Sequence, residues 1–164
     1  MDTLQQLKDE LGYEFNVTKK FFKAFPEDKN DFAPHEKSMK LMILADHIVA
    51  IFGWPVAILN TSELDIGEAD ESEKVENREQ LENVLDKEYK ASITALEQTS
   101  EADLEPSWAL TMNGQKLMEW TKYGAIRHSL NQMAHHRAQL GVYYRLLDIP
   151  VPASYGPSAD DQSF

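Results

Sequence analysis

The strongest constraint on the fold lies near the end of the chain, where Ile126, Leu130, Met133, Arg137, Leu140, Tyr144 and Leu147 follow one another in steps of four and three. A strand needs steps of two, so this series points to a helix with one side turned to a core. The helix is expected from about Thr121 to Leu147, where Asp148 and Pro150 stop it. At roughly 40 Å long it cannot bury its stripe alone and needs partners of similar length.

Three further segments supply them. Thr3 followed by Gln6 has the form of a capping box, and Leu4, Leu7, Leu11, Phe15, Thr18, Phe22 and Phe25 then recur at helical spacing until Pro26. Ser38 is a suitable N-cap for a second helix with Leu41, Leu44, Ile48 and Ile51 on one face, ending at Gly53 and Pro55. Asn77 and Gln80 open a third, whose stripe is Leu81, Val84, Leu85, Tyr89, Ile93 and Leu96. Between the third and fourth helices, SWALTMNGQKLMEW alternates imperfectly around Asn113 and Gly114, which predicts a short hairpin or loop. The fold class that follows is all-α: one four-helix-bundle domain spanning residues 1–164, with long crossover loops that argue against a plain up-down-up-down order.

With 164 residues and 42% hydrophobic content, the chain can bury a single sizeable core. The apolar stretch Leu41 to Leu59 is interrupted by Asp46, His47, Gly53 and Pro55, so no membrane segment is expected, and the N-terminus lacks the basic start of a secretory signal. The absence of cysteine fits a reducing cytoplasm and leaves nitrogen and oxygen as the only ligands for a metal. A formal charge of -12 opposes nucleic-acid binding. Much of that excess sits between Glu63 and Glu79, read here as a solvated acidic loop because its acids lack the spacing of a calcium loop.

Of the five histidines, His47 and His136 each border the apolar face of their helices, whereas the same wheel estimate sends His128 and His135 outward. Gln132 stands one turn before His136, so the two can share a ligand. Two imidazoles and an amide oxygen, with open positions for water, make a site of the catalytic type. The competing reading is that each core-edge histidine simply hydrogen-bonds a neighbour. Arg137 occupies a stripe position and requires a buried carboxylate or carbonyl partner. HExxH, Glu-x-x-His, GxSxG and Gly-rich phosphate-loop patterns do not occur.

The segments PHEKSMKLMILADHIVAIFGW, SWALTMNGQKLMEW and AIRHSLNQMAHHRAQLGVYYRLLDIPVP, with the ending YGPSAD, resemble the DinB-like superfamily, which includes YfiT-type proteins. HHRAQL and the histidine of LADHI are the most specific parts. The resemblance implies an up-down-down-up four-helix bundle, usually a homodimer, with a divalent metal, often nickel or zinc, on three histidines. Two of these match His47 and His136, and the third falls on Gln132. The functions it implies are those of a metal-dependent hydrolase or a transferase using a low-molecular-weight thiol, with an unidentified small-molecule substrate. The replacement at Gln132 leaves open a second class: a dimeric, stress-associated scaffold or small-ligand binder that no longer turns over.

Overall fold

A computed structural model describes residues 2–67 and 75–163. Helix α1 (Thr3–Lys23) is capped by Asp2, whose carboxylate accepts from the Gln5 amide, so the cap sits one residue before the expected Thr3. It buries Leu7, Leu11, Val17, Phe21 and Phe22 and stops just short of Pro26. Its last turn is tied to the core by the Tyr144 hydroxyl, which donates to the Phe21 carbonyl at 2.8 Å.

Helix α2 (Leu41–Phe52) starts later than Ser38 predicts and has no side-chain cap. The preceding loop replaces it: the Leu41 and Met42 amides donate to the carbonyls of Phe32 (2.8 Å) and Asn30 (3.1 Å), satisfying groups that a helix start leaves without partners. At Gly53 the chain turns into α3 (Trp54–Asn60), with Pro55 in the first turn where proline is tolerated. A β-carbon on Gly53 would lie 2.5 Å from a Glu88 carboxylate oxygen, so a larger residue at this junction would displace the Glu88 side chain. The buried Ser92 hydroxyl closes the end of α2 by donating to the Phe52 carbonyl at 2.6 Å. By length and apolarity, residues 41–60 could cross a membrane. Here their apolar side chains, including Leu41, Leu44, Ile48, Ile51, Phe52 and Ile58, are spent on the protein's own core.

The expected all-α architecture is overturned by a three-stranded mixed sheet. Strand β1 (Glu63–Asp65) runs parallel to β2 (Ser107–Met112), which pairs antiparallel with β3 (Gln115–Thr121). The hairpin predicted around Asn113 and Gly114 is present, both residues taking the positive φ values (50° and 76°) that a tight two-residue turn requires. The helix α3 was not expected after Gly53 and Pro55, and the missed strand is β1, which lies within the stretch read as a solvated acidic loop. A three-residue strand carries too little periodicity to be recognised, and its acidic character has a local reason. Asp65 accepts from the amides of Gly67 (2.8 Å), Asn113 (2.9 Å) and Gly114 (2.7 Å), so it pins the hairpin turn to β1. Those amides hold its carboxyl below the usual range, the Gly114 bond contributing most. Residues 68–74 of the same acidic stretch lie outside the described residues.

Helix α4 (Arg78–Glu97) begins at Asn77, whose side chain accepts from the Gln80 amide as the sequence suggests. Helix α5 (Lys122–Leu146) follows β3 directly, capped by Thr121. Helix α1 packs on α4 and α5, α2 packs on the same two, and α3 covers one end against both. The stripe residues Ile126, Leu130, Met133, Leu140 and Tyr144 are buried as expected, and each apolar side chain so buried contributes about 1.5–3 kcal/mol.

Candidate functional site

The site is built where α2 crosses α5. His47 lies among Leu44, Ile48 and Ile51, and His136 beside Met133 and Leu140, all of which are buried. Both histidines are half-buried at the edge of these faces. Their rings meet edge to face with centroids 4.5 Å apart. Sequence spacing predicts this convergence, and the structure brings the two rings together. Burial is the main reason that the His47 imidazole sits below its ordinary pKa, reinforced by the neighbouring His136. Burial likewise lowers His136, offset by Gln139 and assisted by His135. Both rings are therefore held neutral near pH 7, each with one nitrogen lone pair available.

Gln132 lies one turn before His136, but its amide nitrogen turns the other way and donates to His128 Nε2 at 3.3 Å. An amide carries its two polar atoms on one carbon, so with the nitrogen committed to His128 the oxygen is the atom that remains to accept or to ligate. His128 itself corrects the sequence reading. Far from pointing outward, it is half-buried and stacks on Trp120 (4.7 Å) and towards Trp54 (6.5 Å). Each four-residue step turns the helix direction by only about 40°, so residues 128, 132 and 136 form one slanting row. Helix α3 and strand β3 supply the two tryptophans that cover its upper end. Burial lowers the His128 pKa too.

His135 is exposed, as expected, but it is not isolated from the site. Gln139 donates from Nε2 to His135 Nε2 at 2.9 Å, while its Oε1 lies 3.3 Å from His136 Nδ1. The sequence reading missed Gln139. The available signal was its spacing, four residues after His135 and three after His136, which puts one side chain within reach of both.

Immediately after His136, Arg137 finds the carboxylate partner its position demands. Its guanidinium donates to Glu14 at 2.5 Å, to Thr18 Oγ1 at 3.3 Å and to the Tyr155 hydroxyl at 3.2 Å; Arg137 and Glu14 are 2% and 3% exposed. Tyr155 in turn donates to the other Glu14 oxygen at 2.5 Å. The buried Arg137 cation is thus neutralised by Glu14.

Among the described residues, no group of three or more His, Cys, Asp or Glu side chains converges as a ligand set. What the chain offers is narrower: two imidazoles whose rings meet, with the Gln132 amide one turn before His136 on the same helix. That donor set fits an open site with exchangeable positions and does not fit a closed structural one.

A family model described as the DinB family matches residues 1–163. Among solved structures, a DinB-like protein from Bacillus cereus aligns with a TM-score of 0.72 at 17% identity, covering 92% of this chain and 97% of that one. A DinB-like protein from Bacillus subtilis aligns with a TM-score of 0.66 at 18% identity, covering 87% of this chain and 92% of that one. At such identities the structural likeness establishes a shared fold. A search of curated proteins found no match.

Proposed function

The chain belongs to the DinB family, and from that premise we propose that it is a metal-dependent enzyme whose His47, His136 and Gln132 hold a divalent ion, nickel or zinc. The observation that carries this reading is the approach of two neutral imidazoles, 4.5 Å between centroids, from different helices. When bound, the ion supplies the Lewis acidity that brings water or a low-molecular-weight thiol to its nucleophilic form near neutral pH. The reaction class is accordingly hydrolysis or thiol S-transfer on a small molecule, in the reducing cytoplasm. His47 and His136 supply the lone pairs, and their burial keeps protons from competing for them. Gln132 contributes a weaker oxygen donor, aimed by His128.

The second reading, a non-catalytic dimeric scaffold or small-ligand binder, is favoured by one feature: the position one turn before His136 carries an amide. The two are separated by metal analysis of the purified protein after loading with nickel or zinc, followed by thiol-transfer and hydrolysis assays with and without the ion. The enzyme reading expects retained metal that is lost in His47→Ala and His136→Ala. Wild-type protein that retains none would sink it and leave the binder.

A further inference from the structure

We infer that Gln139 is the positioning residue of the histidine pair: held by His135, it fixes His136 as the Nδ1–H tautomer and leaves Nε2 as the nitrogen open to a cation. The assignment rests on the functional reading above only for the identity of the ligand; the tautomer follows from the orientation of the Gln139 amide between the two rings.

The Gln139 amide is asymmetric. Its nitrogen can only donate and its oxygen can only accept. Gln139 Nε2 lies 2.9 Å from His135 Nε2, so the nitrogen donates there. The amide oxygen then faces His136 Nδ1 at 3.3 Å, and an oxygen that can only accept requires a hydrogen on that nitrogen. A neutral imidazole carries one hydrogen, so with Nδ1 protonated the lone pair is on Nε2. In water an unrestrained neutral imidazole favours the opposite tautomer, which would put its hydrogen on Nε2. Gln139 overrides that preference. The arrangement has the form of an outer partner that orients a ligating histidine and makes it more basic. The bond depends in turn on His135, whose Nε2 must carry its lone pair to accept from the amide and so hold it the right way round. With the amide reversed, its NH₂ would face His136 Nδ1 and force the hydrogen onto Nε2.

The test reads the tautomer without any metal. In ¹⁵N-labelled, metal-free protein at a pH well above the imidazole range, long-range ¹H–¹⁵N correlations distinguish protonated from unprotonated ring nitrogens, with His136→Ala giving the assignment. Wild type should show His136 protonated at Nδ1. Gln139→Leu should shift the ring towards the Nε2–H form and weaken zinc binding, measured by calorimetry, by about 10- to 100-fold. Gln139→Glu, whose carboxylate can only accept, should restore both the Nδ1–H pattern and zinc affinity. An Nε2–H pattern in wild type, or a pattern unchanged in Gln139→Leu, would overturn the inference. Wild type with the expected tautomer but no zinc binding would support the tautomer lock and refute the metal-dependent reading.

Discussion

At the level of single residues, Gln132 is the informative position, because it stands where the resemblance implies the third histidine of a metal set. An imidazole is a better ligand for zinc or nickel than an amide oxygen, and the one-turn spacing to His136 already suits it. Gln132→His should therefore tighten zinc and nickel binding by about tenfold or more, while His136→Ala abolishes it, in calorimetric titrations at fixed pH. No gain in Gln132→His would mean that the pocket is arranged around the amide for a different task. The histidines also predict a pH dependence. His47, His128 and His136 all have pKa values lowered from the ordinary 6.5. Over the range between the folded and ordinary values, the unfolded chain binds more protons than the folded one, so stability rises with pH there. Their contribution is complete above the ordinary value and is lost as the pH falls through the lowered ones. Urea midpoints should decline as the pH falls below the ordinary histidine value of 6.5, and the decline should be shallower in His47→Gln. An equal slope in both proteins would exclude His47 as a contributor.

At the level of elements, the Arg137–Glu14 pair fastens α5 to α1, and Tyr155 fastens the C-terminal segment to both. The Tyr155 hydroxyl is pushed up to about 12, chiefly by burial and then by its bond to Glu14. Replacing one member of a buried ion pair leaves the other charge without compensation, so Arg137→Met should cost about 3–5 kcal/mol in chemical denaturation. The double variant Glu14→Leu/Arg137→Met should recover most of that loss, because the stranded charge is then gone. Additive losses would show that packing, and not charge, dominates at this position. The stripe of α5 announced that Arg137 needed a partner, but not which one. Glu14 lies 123 residues away on a helix whose own stripe was read through Leu11, Phe15 and Thr18. An acid next to that stripe looks solvated until the partner helix is in place.

For the whole molecule, the large aromatic residues around the helix ends are mostly internal and leave little apolar surface for a partner. Phe52 and Tyr143 are buried, and Trp54 is half-buried beside His128. The homodimer is retained as a proposal on different residues: Ile43 on α2 and Val142 and Leu146 on α5 are 54%, 58% and 57% exposed, on two helices that pack together. If these form a self-complementary face, light scattering at micromolar concentration should give twice the mass of the chain, 18.7 kDa, and Val142→Asp should halve it. A monomeric wild type would remove the proposal.

The sequence by itself determined the long helices, the hairpin turn at Asn113–Gly114, the need for a partner at Arg137 and the inward edge shared by His47 and His136. Each of these follows from periodicity or from local backbone chemistry, which act over a few residues and are written in order along the chain. Tertiary structure decided the rest. Strand β1 exists because the open edge of β2 and the amides of the hairpin turn lie beside Glu63–Asp65 in space. His128 faces inward because Trp54 and Trp120, from an adjoining helix and strand, close over it. The orientations of Gln132 and Gln139 are set by hydrogen bonds at side-chain tips, where a rotation of one torsion exchanges donor for acceptor and leaves no trace in spacing.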